Sequence, residues 1–140
     1  MILASVTLAA AALAWQAASP PAPSSLDFEF FKTRVQPIFL ARRPGHARCY
    51  VCHSTGTNFR LQRLSPDSRE WNDEQSHLNF EAVQRLVTPG HPEASPLLLH
   101  PLTAEAGGDT FHSGGKHWDS QSNPEWQTLA EWVRGKSPSK

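Results

Sequence analysis

A chain of 140 residues is long enough for one domain with a single core and too short for a two-domain enzyme of ordinary proportions. Thirteen basic side chains balance thirteen acidic ones, so charge gives no basis for binding nucleic acid or an anionic membrane. Two cysteines cannot build the multi-bridge framework of small secreted folds, and outside an apolar leader only about a third of the residues are apolar, so something else must complete the core.

Residues 1–18 come first; 15 of them are apolar and none is charged. They read as a signal peptide cut near Ala17 or Ala18. The alternative is an N-terminal membrane anchor, because about 17 apolar residues is the lower edge of what spans a bilayer. Either way the body is expected outside the cytoplasm, periplasmic or otherwise exported. Residues 19–26 form a Ser/Pro/Ala linker. Ser24 or Ser25 is expected to cap a helix whose face carries Phe28, Phe31, Val35 and Ile38, kinked or restarted at Pro37.

A loop through Arg42, Arg43, Pro44, Gly45 and His46 leads into Cys49-Tyr50-Val51-Cys52-His53. Residues 54–76 are polar without a sustained period, which predicts a long surface loop. Asn79 is the expected cap of a short helix over residues 80–87, stopped by Thr88-Pro89-Gly90. Residues 93–99 suggest another helical turn, closed by His100-Pro101. Gly107, Gly108, Gly114 and Gly115 mark an irregular, tightly folded loop. Asn123 then caps a last helix with Pro124 at its first position, Trp126, Leu129, Trp132 and Val133 on one face, and Gly135 at its end. No segment alternates like a strand. The expected fold class is all-α, with short helices, long loops and a tail at 137–140.

The chemistry lies in the middle. Both cysteines stand three apart with histidine next, the spacing of covalent c-type haem attachment. Thiols at i and i+3 on the first turn of a helix reach the two vinyl groups of one porphyrin edge, and the next residue aims an imidazole at the iron. Cys49 and Cys52 are therefore expected to hold one haem c, with His53 as an iron ligand. A redox disulfide would want a βαβ context that the neighbourhood lacks. A structural zinc site on Cys49, Cys52, His112 and His117 uses an H-x4-H spacing, but leaves His53 without a role and puts 59 residues between Cys52 and His112.

The run Val35-Gln36-Pro37-Ile38-Phe39-Leu40 followed by Arg48-Cys49-Tyr50-Val51-Cys52-His53-Ser54 resembles the first helix and haem attachment of a class I cytochrome c. More narrowly, three later segments are similar to planctomycete-type cytochrome c domains: residues 89–98 (Pro-Gly-His-Pro-Glu-Ala-Ser-Pro-Leu-Leu), His112-Ser113-Gly114-Gly115, and Leu129-Ala130-Glu131-Trp132-Val133-Arg134-Gly135. The second departs from the family pattern at Ser113, and the third reaches its glycine one residue early. The resemblance covers residues 27–136 and implies a cytochrome c domain with short helices around one covalently bound haem.

In that family a methionine usually occupies the distal side of the haem, yet the single methionine here is Met1. A nitrogen ligand or an open position must replace it. His112 lies in the segment resembling the family's glycine-rich stretch and is the expected distal ligand; His117, His100 and an open site are the alternatives. Two imidazoles in place of a thioether imply a lower potential and no free coordination position. The resemblance thus implies a monohaem electron carrier, not an enzyme, working between redox partner proteins, either free or as a subunit of a membrane electron-transfer complex, without nucleic acid or small-molecule substrate. A haem enzyme or gas sensor with an open distal site is the alternative. Phe28, Phe31, Trp126, Leu129 and Trp132 are expected where the first and last helices cross. Tyr50 and Val51 are expected on the haem edge, and Arg42, Arg43, Arg48 and Lys116 are candidates to neutralise haem propionates.

Overall fold

The structure, a computed structural model, describes residues 25–138. The signal-peptide or anchor segment 1–18 and most of the linker lie outside the described residues. Among those described there are five helices and no strand; the only sheet-like pairings are isolated bridges at Arg43–His46 and Leu102–Trp118. The protein is all-α, and no helix in this region is long and apolar enough to cross a membrane.

Helix α1 covers residues 28–40, α-helical over Phe28–Phe30 and Gln36–Leu40 with a π-helical turn at Phe31–Val35 between them. Its cap is Asp27, whose carboxylate accepts from Phe30 N at 2.7 Å, and not Ser24 or Ser25. An acid at this position also suits the helix dipole. The expected irregularity takes the form of the π turn directly before Pro37. A proline has no N–H for the carbonyl four residues back, and its ring crowds that carbonyl. Widening the preceding turn, with Gln36 N–H bonding Phe31 O, absorbs the defect without breaking the helix.

Helix α2 is the short Cys49–His53 turn and α3 is Asp73–Gln84. The latter corrects the expected helix over residues 80–87: it begins six residues before Asn79 and ends at Gln84. Asn72 is the true cap, accepting from Gln75 N at 2.9 Å while Gln75 Oε1 accepts from Asn72 N at 3.1 Å, a reciprocal capping box. Asn79 is instead fully buried inside the helix. Its Oδ1 accepts from Gln62 N at 2.6 Å and its Nδ2 donates to Gln36 Oε1 at 3.4 Å, while Gln36 Nε2 donates to Ser76 Oγ at 3.0 Å. This network fastens α1, α3 and the 54–71 segment together. That segment is irregular but not merely a surface loop, since Leu61 and Trp71 are both core residues. Replacing Asn79 by Ala strands the Gln62 N–H and one side of Gln36, and is expected to cost about 2 kcal/mol in chemical denaturation.

The chain continues through a 3-10 turn at Pro92–Ala94, helix α4 at Pro96–Leu99, a second 3-10 turn at Ala104–Ala106, and helix α5 at Pro124–Val133. Helix α5 is capped by Asn123 as expected, with Trp126, Leu129, Ala130, Trp132 and Val133 buried. Trp132 meets Phe31 of α1 with ring centroids 5.3 Å apart, and Phe80 of α3 fits edge-on against both at 5.4 and 6.0 Å. The indole N–H of Trp132 donates to Asp27 O at 2.9 Å, joining the last helix to the start of the first. Phe28 is half-buried at the edge of this cluster, edge-on to Phe80 at 5.5 Å and stacked on His77 at 3.8 Å.

Candidate functional site

A cavity of about 300 Å³ opens between α1, α2, α4, α5 and the 100–118 segment, with Cys49, Cys52, His53 and His112 in its wall. Its apolar lining comes from Ile38 and Phe39 of α1, Leu97 of α4, Leu129 of α5, and Phe59 and Trp118. The volume is at the lower end of small-molecule sites, about 300–1,000 Å³. The core of this apolar-poor chain is thus interrupted where the cysteines sit.

Helix α2 places Cys49 half-buried and Cys52 exposed, both as free thiols. Burial pushes the Cys49 thiol up, opposed by the Arg43 guanidinium, whose Nη1 lies 4.0 Å from Sγ. His53 closes the helix. Its Nδ1 is held by the Thr57 hydroxyl at 3.0 Å and the Phe59 carbonyl oxygen at 3.2 Å, which leaves Nε2 facing the cavity side of the ring. The backbone carbonyl of His53 accepts from Leu61 N at 2.7 Å, so the loop after the motif folds back against it.

His112 reaches the same cavity from the glycine loop. Its Nδ1–H donates to Gly115 O at 2.7 Å, again leaving Nε2 unengaged. The two ring centroids lie 6.3 Å apart with planes 13° from parallel. Both therefore have the arrangement in which a backbone carbonyl fixes the tautomer and the far nitrogen is left as a donor to a metal. The base of the loop is tied down: His117 N and Trp118 N both donate to Pro101 O, at 2.7 and 3.1 Å, and Lys116 Nζ donates to His100 O at 2.8 Å and to Asp109 O.

The other candidates are placed differently. His100 lines the cavity but is half exposed and paired with Asp109 at the rim. His117 also lines it, between His46 (5.2 Å) and His112 (6.0 Å), with a buried Nδ1 that has no hydrogen-bond partner. Among the described residues no three His, Cys, Asp or Glu side chains converge to hold a metal ion, so the four-ligand zinc set of Cys49, Cys52, His112 and His117 does not form.

Several sequence expectations for neighbouring residues change. Tyr50 does not line the cavity; its hydroxyl accepts from Leu64 N at 3.1 Å and its ring meets Trp71 edge-on at 5.7 Å. Val51 faces solvent. Arg43 is a buried hub: Nε donates to Glu125 Oε2 at 2.7 Å and Nη2 to Ile38 O at 3.0 Å. Trp118 Nε1 donates to the same Glu125 oxygen at 3.0 Å. This ion pair joins the end of α1 to the start of α5 and was not legible in the sequence, because its partners are 82 residues apart. With Lys116 committed to carbonyls, Arg48 is the cation of this group that lines the cavity itself.

Burial pushes His117 down to about 4, with Arg43, His46 and His112 adding to the effect. It also lowers His53, where the bond to Phe59 O opposes the shift and His112 reinforces it. His117 stays neutral in the fold down to about pH 4 while an unfolded chain protonates it near pH 6.5, and the lowered His53 acts in the same direction. The unfolded state then binds more protons, so stability falls as the pH drops from about 6.5 toward 4 and levels off below. Urea denaturation of the chain across this range is expected to show that fall, and His117→Phe is expected to reduce it.

No family profile, curated protein or solved structure matches this chain. What the site does must be argued from its residues.

Proposed function

We propose that the protein is a monohaem c-type cytochrome that carries single electrons outside the cytoplasm. Cys49 and Cys52 would hold the haem by thioethers, and His53 and His112 would supply its iron-ligating nitrogens. The observation that carries this reading is the pair of facing imidazoles beside both thiols of the chain, each with Nδ1 bonded to a backbone carbonyl. The ring centroids of His53 and His112 lie 6.3 Å apart across the cavity that holds both thiols, which places two imidazole nitrogens within reach of one bound group. His100 lies at a similar 6.5 Å from His112, but His53 is the imidazole next to the thiols.

A haem bound here supplies a reversible one-electron change at its iron. The chain's own work is to orient and fix both imidazoles and to surround the site with Ile38, Phe39, Leu97 and Leu129. Two nitrogen ligands in place of a thioether would favour a lower potential and leave no position for a substrate. The crossing of α1 and α5 and the placement of the motif on α2 support a cytochrome c fold for residues 27–136. The partners are redox proteins or a membrane electron-transfer complex. The neutral charge balance favours docking without long-range steering.

A redox titration monitored by absorption tests the reading. The expected result is one reversible one-electron wave and a ferrous spectrum unaffected by carbon monoxide. A spectrum that changes on adding carbon monoxide would instead assign an open distal site and a ligand-binding or catalytic role.

A further inference from the structure

We infer that Gly114 is a positioning residue for His112: the absence of its side chain lets the imidazole pack over its Cα and so sets the plane of the ring toward His53. The inference rests on the reading of His112 as an axial ligand. Residues 112–115 form a closed turn in which Gly115 N donates to His112 O at 2.9 Å and His112 Nδ1 donates back to Gly115 O at 2.7 Å. A Cβ added to Gly114 would lie 3.2 Å from Cε1, 3.7 Å from Nδ1 and 3.9 Å from Nε2 of His112. Its three nearest neighbours are all atoms of one imidazole.

The two glycines do different work. Gly115 has φ +80°, a left-handed conformation that favours glycine, while the space around it is open, the nearest atom being His46 Nδ1 at 3.9 Å. At Gly114 the backbone lies outside the left-handed region and accepts any residue, but the space does not. A methyl group there displaces the His112 ring by a few tenths of an ångström. With Nδ1 tethered to Gly115 O, the ring's remaining freedom is to tilt, and Gly114 bounds that tilt on one face. The resulting plane lies 13° from that of His53.

Ring planes have an electronic consequence. In a ferric iron with two imidazole ligands, near-parallel rings split the two dπ orbitals and give a rhombic low-spin resonance. Turning the rings toward perpendicular brings the orbitals together and gives a signal with one very large g value. A residue that only supported the fold would not move this quantity.

The test is electron paramagnetic resonance of the ferric, haem-loaded full chain, with Gly114→Ala, Gly114→Val and Gly56→Ala, the last at a site where an added Cβ meets nothing within 4 Å. The wild type and Gly56→Ala are expected to give the same rhombic signal. Gly114→Ala is expected to shift the largest g value upward and Gly114→Val to shift it further, with far-ultraviolet circular dichroism unchanged. Wild-type g values in both Gly114 variants would overturn the inference. A large-g signal from the wild type would also overturn it, because that contradicts near-parallel rings. His112→Ala separates the two claims: an unaltered low-spin signal there refutes the ligand assignment, whereas loss of that signal with unmoved Gly114 variants refutes only the positioning role.

Discussion

His112→Ala is expected to convert a six-coordinate, low-spin spectrum almost completely to a five-coordinate, high-spin one that binds carbon monoxide. The effect should be large because among the described residues His112 is the only histidine whose ring is paired with that of His53. His100 is held at the rim by Asp109, and the His117 backbone is anchored to Pro101. Neither reaches the position of His112 without breaking the ties that close the loop. Added imidazole should restore the low-spin spectrum, since it supplies the missing nitrogen to an otherwise intact cavity. An unaltered low-spin spectrum in the variant would remove His112 from the site.

The second large effect concerns stability. Arg43→Ala is expected to cost about 3 kcal/mol, measured as a lower urea midpoint with little change in slope, because removing one member of a largely buried ion pair leaves the other uncompensated. Arg43 is 10% exposed at its side chain and Glu125 29%. The guanidinium also donates to the carbonyl of Ile38 at the end of α1, alongside the Ala41 N–H that caps it. Glu125 keeps its bond from Trp118 in the variant, which limits the loss. Glu125→Gln should therefore cost less, about 1 kcal/mol, since the amide retains the shape and can still accept hydrogen bonds. The double variant should fall short of the sum of the two, as expected for groups in direct contact.

What the sequence revealed depended on whether a feature was contiguous. The thiols and His53 fall within one helical turn, and α5 announces itself through Asn123, Pro124 and a run of apolar residues at helical spacing. Helix α3 did not, because its first turns carry Asp73, Glu74, Gln75, Ser76 and His77, and its buried positions include Ser76 and Asn79. An apolar period cannot reveal a helix whose core face is partly polar. Its start was legible only through the Asn72 and Gln75 capping pair, which a search for apolar periodicity passes over. The role of Arg43 was hidden for a different reason, since a partner 82 residues away leaves no local trace. The choice of His112 followed from its glycine-rich neighbourhood, but its position opposite His53, and the carbonyl that orients it, belong to the tertiary structure.

The central claim is that Cys49 and Cys52 bind one haem covalently. It is tested most directly by the mass of the denatured chain after expression in a host with working c-type haem maturation. The account predicts a mass greater by one haem, retained in denaturant and lost when both cysteines are replaced by alanine. A colourless chain at its own polypeptide mass, with Cys49 and Cys52 as free thiols or a disulfide, would contradict it.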